Sequence, residues 1–458
     1  MKKQTLLSAA VALLTVKLFS QTIAGGEFHS LAICSDKTVK AWGWNYFGQL
    51  GNGSNTASKV PVPVSSLTAV TAIAAGYVQS LALKADGTVW AWGENTYGAL
   101  GNGNNTNSNV PVKVSSLTGI TAIAGGFQHS LALKTDGTVW AWGDNTYGQL
   151  GNGTNTNSNV PVRVISLTGV IAIAGGEYHS LALKVDGTVW AWGSNLNGTL
   201  GNGTNTDSNV PVQVSSLTGV TAIAGAYAHS LALKADGKVM AWGANTYGLL
   251  GNGTFTSSNV PTPVSSLTSI TAISCGQFHS LALKTDGTAW AWGNNTYGQL
   301  GNGTKTTSNV PLQISSLTTV ASIGGQGDHS IALKTDGTVR TWGWNVDGQL
   351  GNGTNTDSSV PIQVTGLCAV ATTVNEIIEP LSISVYPNPT NGAFQIQMVG
   401  GSSNQYNLEI YNVVGEKVFQ ETLNGKQEIV NLNQPNGIYF LNVKTEQGAT
   451  NKKIIIQK

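Results

Sequence analysis

The sequence predicts an all-β protein: a seven-bladed β-propeller of four-stranded blades followed by a small β-sandwich domain. A 50-residue pattern recurs seven times between about residues 21 and 375, without an insertion between units. Each unit contains four short apolar runs separated by turn residues, and none keeps the 3.6-residue period of a helix. Units of this length bury their apolar faces by stacking on their neighbours, as propeller blades do.

The chain begins with the features of a secretory signal peptide. Two lysines follow the initial methionine and precede an apolar run, Leu6–Val16, that is too short to span a membrane. Cleavage after Ser20 makes residues 1–20 the signal peptide and starts the propeller at residue 21. Cleavage after Ala24 has the better pattern of small residues before the cut. A cytoplasmic protein with a chance apolar start is the alternative to this prediction of export.

One unit, residues 71–120, shows how the strands are predicted. Asp86-Gly87 stands between two apolar runs and predicts a hairpin with a type I′ turn. Glu94–Asn109 is rich in Gly, Asn and Thr and predicts a long loop. Pro111 lacks an N–H, so its strand is an edge strand or begins there. The predicted strands are Ser80–Lys84, Thr88–Gly93, Val110–Val114 and Ile120–Ala124.

Three strings recur at fixed spacing in these units: GxxHSLAL, DGTVWAWG and NTYGQLGNG. Together they resemble the regulator-of-chromosome-condensation repeat over all seven units, and the resemblance implies a seven-bladed propeller. Positions in the repeat take the numbers of the first unit, so position 42 is Trp42, Trp92 and their equivalents. The first unit departs from the others, since Lys37 replaces the turn glycine and Cys34 replaces a lysine.

Charge is sparse and balanced along the chain. Charged residues make up 10 % of the 458 residues, and the formal net charge is +1. In most units a lysine and an aspartate, such as Lys84 and Asp86, stand two residues apart and nearly cancel. A nucleic-acid binder needs clustered Lys and Arg, so we expect no nucleic-acid partner. We also expect a monomer without a membrane span.

The repeat pattern ends in a short linker, residues 376–382. From residue 383 to 458 alternating apolar and polar runs are punctuated by turn residues, which predicts a small β-sandwich. The predicted strands are Phe394–Met398, Asn407–Tyr411, Lys417–Gln420, Gly437–Val443 and Lys453–Ile456.

The strings YPNPTNGAFQIQM, EIYNVVGEKV and NGIYFLNVKTEQGATNKKIIIQK occur in this order in the second domain. They resemble the C-terminal sorting domain of the Bacteroidetes type IX (Por) secretion system. The resemblance implies one partner, the type IX secretion machinery. It also implies passage into the periplasm and then across the outer membrane, and therefore a secreted or cell-surface protein. An ordinary accessory sandwich is the alternative.

The sequence contains no catalytic or phosphate-binding motif of a familiar kind: it lacks G-x-S-x-G and H-E-x-x-H. The repeated G-N-G-T segments include only two carboxylates, Asp207 and Asp357, too few for a calcium site. We interpret these segments as Asx-turns. The sequence thus predicts no catalytic residue, no metal site and no cofactor.

Six histidines share position 29, and Gln79 takes the seventh place. Equivalent residues of neighbouring blades lie further apart than the roughly 4 Å that two ligands of one zinc ion span. We therefore predict a hydrogen bond that fixes the start of each strand rather than a ring of metal ligands. The tryptophans at position 42 are predicted to form the core between blades.

Because strand direction alternates, positions 27–28 and 44–47 are predicted to emerge on one face and the Asp-Gly turn on the other. The first face varies between units, and this variable face is the candidate binding surface. Only units one and seven, which ring closure makes neighbours, carry tryptophan at position 44. Neutral drift, and packing that covers the seam, are the alternatives. The candidate binding residues are Trp44, Tyr46, Phe47, Trp344, Tyr97, Tyr147, Tyr247 and Tyr297.

Two functions of different classes fit these patterns. The first is an exported scaffold that binds a protein or glycan partner through the variable face. Chromosome-associated members of the family act as exchange factors on a nuclear GTPase, a role that predicted export argues against. The second is a polysaccharide-degrading enzyme, which needs carboxylates that converge near the propeller axis. The sequence scatters its acidic residues around the ring, so we predict no enzyme; these residues are Glu27, Glu94, Asp144 and Glu177.

The three cysteines are an odd number for an exported protein. Position 18, which Cys368 occupies, lies nearly opposite positions 34–36 of the predicted hairpin. Cys34 and Cys368 are therefore a candidate disulfide, provided that Val370–Val374 pairs with Ser30–Cys34 to close the ring. Such a bond stabilises by about 4–5 kcal/mol in the chain-entropy account. Free buried cysteines are the alternative, and Cys275 is expected to stay unpaired.

Overall fold

The fold divides into two compact units, residues 1–372 and 373–458. The computed structural model describes residues 22–325, 327–368, 382–399, 406–423, 427–445 and 448–458. The predicted signal peptide and residues 369–381, which include most of the predicted linker, lie outside the described residues. Within those residues no helix is long and apolar enough to cross a membrane.

The first unit is a ring of seven four-stranded antiparallel blades, each made of consecutive strands. Blade 1 consists of β1 (Ile23–Gly25), β2 (His29–Ile33), β3 (Val39–Gly43) and β4 (Ser58–Pro63). Blade 2 consists of β5 (Val70–Ala75), β6 (Gln79–Lys84), β7 (Val89–Gly93) and β8 (Ser108–Lys113). Blade 3 consists of β9 (Ile120–Gly125), β10 (His129–Lys134), β11 (Val139–Gly143) and β12 (Ser158–Arg163). Blade 4 consists of β13 (Val170–Gly175), β14 (His179–Lys184), β15 (Val189–Gly193) and β16 (Ser208–Gln213).

The remaining blades repeat this pattern. Blade 5 consists of β17 (Val220–Gly225), β18 (His229–Lys234), β19 (Val239–Gly243) and β20 (Ser258–Pro263). Blade 6 consists of β21 (Ile270–Cys275), β22 (His279–Lys284), β23 (Ala289–Gly293) and β24 (Ser308–Gln313). Blade 7 consists of β25 (Val320–Gly325), β26 (His329–Lys334), β27 (Val339–Gly343) and β28 (Ser358–Gln363). A 3-10 turn, Leu196–Gly198, interrupts the loop of blade 4. The predicted seven-bladed all-β propeller is confirmed.

The hairpin between the second and third strands of a blade differs from the predicted type I′ turn. In blade 2 the amide of Gly87 donates to the carbonyl of Lys84 at 2.9 Å, and Gly87 has a φ of 74°. Asp86 does not take positive φ; its carboxylate instead accepts the amide and hydroxyl of Thr88. The loop therefore has three residues and ends in a left-handed glycine, which costs the chain no Cβ clash. In blade 1 Lys37 takes this place with a φ of 64°.

Adjacent blades are joined through the tryptophan at position 42, which is fully buried in all seven blades as predicted. The indole Nε1 of Trp92 donates to the carbonyl of Gln49 in the preceding blade at 2.8 Å. Ser80 Oγ donates to the same carbonyl at 2.9 Å. A Cβ on Gly51 would lie 2.7 Å from the Trp92 Nε1, so glycine at position 51 makes room for the indole. Each junction is thus both apolar and hydrogen-bonded.

In the described part of the chain, blades 7 and 1 share no strand where the ring closes. The first strand of blade 1 is β1, whose residues Ile23–Gly25 pair with Ser30–Ala32. The amide of Ile33 also donates to the carbonyl of Thr22 at 2.8 Å. The N-terminal segment thus fills that edge of β2. Val370–Val374, which was predicted to pair there, lies outside the described residues.

Cys34 and Cys368 are nevertheless close enough to form a bond. The structure joins them by a disulfide with Cα atoms 5.8 Å apart, within the range for such bonds. Cys275 is buried and free. The seam also carries the ordinary junction bonds, with Trp42 Nε1 donating to the carbonyl of Gln349 at 2.9 Å.

The second unit contains a three-stranded and a four-stranded antiparallel sheet that share one apolar core. The sheets run in the orders β29-β30-β33 and β32-β31-β34-β35. Two strands were not predicted, β29 and β33; both are five-residue edge strands of the smaller sheet. The strands are β29 (Ser382–Tyr386), β30 (Ala393–Val399), β31 (Tyr406–Asn412), β32 (Lys417–Leu423), β33 (Gln427–Asn431), β34 (Gly437–Thr445) and β35 (Gly448–Ile456).

Candidate binding site on the variable face

Two loops of each blade meet on the variable face through one backbone hydrogen bond. The amide at position 44 donates to the carbonyl at position 28 in all seven blades. In blades 1 and 7 these are Trp44 to Phe28 and Trp344 to Asp328, both at 2.9 Å. Positions 27–28 and 44–47 therefore lie side by side, as the alternation of strand direction predicts.

A buried asparagine at position 45 holds the longer of these loops. In blade 2 the Asn95 Oδ1 accepts the amide of Leu100, and Nδ2 donates to the carbonyls of Asn104 and Thr106 at 2.9 and 3.1 Å. The side chain at position 45 is fully buried in every blade. Sequence reasoning missed this residue, although an asparagine repeated seven times at one position was a signal.

The two loop aspartates act as Asx-type acceptors. Asp207 accepts the amide of Asn195 at 2.7 Å, and Asp357 accepts the amide of Asn345 at 2.9 Å. In blade 2 the amide oxygen of Asn107 accepts the amide of Asn95 in the same way. Because a neutral amide fills the same role, the carboxylate charge is not needed there. Among the described residues no group of three or more His, Cys, Asp or Glu is placed to hold a metal ion.

The histidine side chains at position 29 form hydrogen bonds to the next blade rather than within their own blade. His29 Nε2 lies 2.8 Å from Ser80 Oγ of the next blade, and His329 Nε2 closes the ring at 2.9 Å from Ser30 Oγ. Each serine hydroxyl donates to a backbone carbonyl, so it accepts from the histidine N–H. Burial lowers the pKa to about 3, or about 4 for His329, so these rings stay neutral. The predicted hydrogen bond is thus present, with a different partner.

Ten aromatic side chains form one connected network on the variable face. Phe28 is its centre: the Phe28 ring centroid lies 5.2 Å from those of Trp44 and Tyr77 and 5.4 Å from that of Trp344. Edge-to-face pairs of this kind stabilise by about 0.5–1.5 kcal/mol beyond burial. The network consists of Phe28, Trp44, Tyr46, Phe47, Tyr77, Phe127, Tyr147, Tyr178, Tyr297 and Trp344.

Five of the eight predicted binding residues lie together around Phe28. With Phe28 they form the seam patch, defined as Phe28, Trp44, Tyr46, Phe47, Tyr297 and Trp344. Tyr46 is its most exposed member at 68 %. Its members come from blade 1, from blade 7 through Trp344 and from blade 6 through Tyr297, so ring closure assembles the patch.

The other three predicted residues stand apart from the seam patch. Tyr147 joins the network only through Tyr178, at 5.1 Å between centroids. Tyr247 belongs to a separate group with Phe278. Tyr97 takes part in no ring pair among the described residues and is 37 % exposed. The prediction missed the rings at positions 27–28, although variation at those positions had helped to define the face; they are Phe28, Tyr77, Phe127, Tyr178, Tyr227 and Phe278.

Two buried amide groups beneath the seam patch lack hydrogen-bond acceptors. At position 49, Gln149 Nε2 donates to Asp144 of its own blade at 2.8 Å, and Gln299 Nε2 donates to Asp328 of the next blade at 3.0 Å. The equivalent residues of blades 1 and 7 are Gln49 and Gln349. The Nε2 atom of each is buried without a hydrogen-bond partner.

The residues at the seam explain why Gln49 and Gln349 lack hydrogen-bond acceptors. Around Gln49, the positions equivalent to Asp144 and Asp328 are Trp44 and Val78; around Gln349 they are Trp344 and Phe28. None of these four side chains carries an acceptor. A buried donor left unpaired costs roughly 1–3 kcal/mol. The aromatic residues at the seam therefore replace groups that would satisfy the buried amides.

A cavity lies where the position-27 side chains of six blades converge. It encloses about 30 Å³ beneath a mouth that is open to solvent. It is lined by Glu27, Tyr77, Phe127, Glu177, Tyr227 and Gln277, by backbone glycines, and by Cys275. Backbone hydrogen bonds from position 27 to the next blade set this convergence. Gly327 contributes no side chain in blade 7, and a Cβ there would lie 2.0 Å from the Glu27 carbonyl oxygen. This axial cavity adjoins the aromatic network through Tyr77 and Phe127.

The carboxyl groups at the axis are destabilised in their ionised form. Burial, with the neighbouring charges of Asp328 and Glu177, raises the pKa of Glu27 to about 8. Burial raises the pKa of Glu177 to about 8 against the hydrogen bonds of Tyr178 and Tyr227, which lower it. Burial raises the pKa of Asp328 to about 6. The predicted scatter of acidic residues is therefore wrong for Glu27 and Glu177, because equivalent positions of different blades converge at the axis.

The two other acidic residues of that prediction lie in the loops at position 44. Asp144 is buried and accepts hydrogen bonds from Gln149 and Thr146. Glu94 accepts hydrogen bonds from Gln128 Nε2 and Thr96 Oγ1. Both carboxylates therefore accept hydrogen bonds from side chains close to the loops at position 44.

Comparison with known proteins agrees with this architecture. The Regulator of chromosome condensation (RCC1) repeat family matches residues 38–83, 86–133, 136–183, 186–233, 236–283, 286–333 and 336–374. The secretion system C-terminal sorting domain family matches residues 384–457. The ultraviolet-B receptor UVR8 of Arabidopsis thaliana is 46 % identical over 46 residues, which span only 10 % of this chain and 10 % of that receptor.

Solved structures give the same fold. Human WBSCR16 is similar with a TM-score of 0.66 and 28 % identity, over 72 % of this chain and 94 % of that one. Yeast RCC1 (Prp20), solved with Kap60, gives a TM-score of 0.67 at 22 % identity, over 80 % of this chain and 89 % of that one. The chain therefore belongs to the RCC1 repeat family of β-propellers and carries a secretion system C-terminal sorting domain, which indicates export to the cell surface or medium.

Proposed function

We propose that the protein is an exported scaffold that binds an extracellular protein or glycan partner through the seam patch. One observation carries the proposal: half-buried aromatic rings, with Tyr46 exposed, cluster above two buried amides that their presence leaves unpaired. Residues chosen for packing satisfy buried donors, whereas binding sites tolerate such costs. Clustered aromatic residues are also the commonest energetic centres of binding surfaces.

The proposal is tested by exposing the exported protein to a glycan array and to extracellular protein fractions. The seam-patch variants treated in the Discussion supply the comparison. Retention of a ligand without its degradation supports a binding protein. Cleavage of a retained glycan would instead support the enzyme.

The alternative is a polysaccharide-degrading enzyme. The convergence of carboxyl groups at the axis supports it. A glycosidase pairs a protonated acid with an ionised carboxylate, and Glu27 beside Asp328 has pKa values in that order. The cavity encloses only about 30 Å³, well below the roughly 300 Å³ at which ligand sites begin. RCC1-repeat propellers are typically binding or exchange-factor proteins, so we favour binding.

We propose that residues 383–458 direct the propeller from the periplasm through the type IX machinery. Deleting this segment is expected to leave a folded propeller inside the periplasm, because the propeller is a separate compact unit. Cell fractionation of the truncated and full-length proteins, produced with the same signal sequence, measures this. Undiminished appearance of the truncated protein outside the cell contradicts the assignment.

We propose that the signal peptide is removed before Thr22, as cleavage after Ser20 would do. Cleavage after Ala24 would remove most of β1, although Ile23 and Ala24 are buried at 4 % and 8 % exposure. N-terminal sequencing of the exported protein is expected to begin at Gln21. A chain that begins at Gly25 and keeps full stability would contradict this.

A further inference from the structure

The seam patch continues into the axial cavity, and the two surfaces differ in chemistry. Phe28 of the patch contacts Tyr77, whose ring lies 4.0 Å from that of Phe127, and both Tyr77 and Phe127 line the cavity. At the cavity Glu27 and Glu177 add carboxyl groups to these aromatic walls. None of the described residues that line it is a lysine, arginine or histidine. A partner that covers the patch therefore also covers an acidic, aromatic cavity.

We propose that the axial cavity takes the charged end of a lysine or arginine side chain of a protein partner that docks on the seam patch. The inference rests on the proposed function and names the partner's chemistry. A cation over aromatic faces is attracted by the ring quadrupoles, most strongly when water is excluded. The aliphatic stem of either side chain packs against the rings while its charged end meets the carboxylates.

A protein fits this surface better than a glycan does. Sugars stack on exposed ring faces, but the faces at the centre of the seam patch are occupied by neighbouring rings. Phe28 meets Trp44, Tyr77 and Trp344 at interplanar angles of 72°, 77° and 65°, so edges point into faces. Such a half-buried apolar cluster beside a carboxylate-lined cavity is complementary to an apolar protein surface with a protruding basic side chain.

The protonation of the cavity gives this inference a pH dependence. Glu27 faces Asp328, Glu177, Tyr77 and Gln277; Glu177 also faces Tyr178 and Tyr227. Burial and the carboxylates raise the pKa of Tyr77, so it stays protonated, as does Tyr227. With pKa values near 8, Glu27 and Glu177 are mostly neutral at pH 6 in the empty cavity. A bound cation favours their ionised forms, so binding releases protons and strengthens as pH rises from 6 to 8.

The same shifts affect stability with a definite sign. The folded protein holds protons on Glu27 and Glu177 up to about pH 8, whereas an unfolded glutamate loses its proton near pH 4.5. The contribution of these two carboxyl groups to the free energy of unfolding of the empty protein therefore falls as pH rises between about 5 and 8. The six buried histidines, whose pKa values are lowered, contribute with the opposite sign below about pH 6.5. The contribution of the carboxyl groups is therefore measured as the difference in pH dependence between wild type and Glu27→Gln with Glu177→Gln, a double variant that is expected to fold.

The test is calorimetric titration of the exported full chain with acetylated, amidated tripeptides that differ only in the central residue. Peptides with central lysine or arginine are expected to bind with Kd values of about 1 mM, the range for so few contacting atoms. The norleucine peptide, which keeps the stem without the charge, is expected to bind at least about tenfold more weakly. From pH 6 to 8 the lysine peptide gains about tenfold in affinity, with proton release.

Variants separate the cavity from the rest of the face. Glu27→Gln with Glu177→Gln is expected to reduce lysine-peptide binding to the norleucine level, whereas Asp347→Asn, a carboxylate on the same face outside the cavity lining, leaves it unchanged. Equal binding of the lysine and norleucine peptides, or no loss in the double variant, overturns the inference. So does the absence of saturable binding at ~10 mM peptide. Oligosaccharide binding that depends on Glu27 and Glu177 also overturns it. The seam-patch variants test the proposed function independently of these outcomes.

Discussion

Breaking the Cys34–Cys368 disulfide is expected to lower the free energy of unfolding by about 4–5 kcal/mol in the chain-entropy account. The two cysteines are 334 residues apart in sequence, so the bond closes nearly the whole propeller into one loop. Among the strands that the structure describes, none is shared between blades 7 and 1 to contribute to this closure. Guanidinium unfolding of Cys34→Ala with Cys368→Ala, compared with the wild type, measures the loss.

Cys275 provides the matched control for that comparison. It is buried and free, so Cys275→Ala removes a thiol without opening the ring. Titration of the denatured, unreduced exported protein is expected to find one free thiol. Three free thiols, or a double variant as stable as the wild type, would contradict the role given to the disulfide.

Replacing Trp44 and Trp344 by aspartate is expected to abolish partner binding while the propeller stays folded. Asp144 shows that a carboxylate at this position accepts the position-49 amide of the same blade. Aspartate at 44 and 344 would thus satisfy Gln49 and Gln349, which offsets the lost ring contacts by roughly 1–3 kcal/mol for each donor. Loss of aromatic anchors costs at least about 2 kcal/mol in binding, roughly thirtyfold in Kd.

The stability of the double aspartate variant distinguishes a binding role of Trp44 and Trp344 from a packing role across the seam. If the two tryptophans were structural core, their removal would cost about 3–5 kcal/mol each. We expect the free energy of unfolding of the double aspartate variant to stay within about 2 kcal/mol of the wild type. A larger loss in guanidinium unfolding would assign the tryptophans to packing and remove the argument drawn from the unpaired amides.

The propeller was predictable because its repeat is nearly exact. Seven copies of one pattern fix the strand order, the buried tryptophan at position 42 and the face on which each loop emerges. Ring closure was less predictable, since Gln21–Gly25 and Val370–Val374 have equivalent patterns and compete for one strand edge. Which segment occupies it depends on packing at the seam rather than on any local preference of the sequence.

The candidate site was predictable in part for a related reason. Sequence comparison between units identifies positions that vary, and it places Trp44 and Trp344 at adjacent blades. It does not show that Phe28 bridges them, nor that Glu27 and Glu177, which are 150 residues apart in sequence, share one cavity. Distances across the axis follow from blade number and tilt, which no pattern within a single unit encodes.

The most direct test of the account is ligand retention by the exported protein with Trp44→Ala and Trp344→Ala. Wild type, this double variant and Val185→Asp are compared on the same glycan array and extracellular protein fractions. Val185 is 74 % exposed at the turn of the opposite face and serves as the control. The account predicts that wild type and Val185→Asp retain the same ligand and that the folded double variant loses it. Full retention by a folded double variant would show that the seam patch is not the binding site.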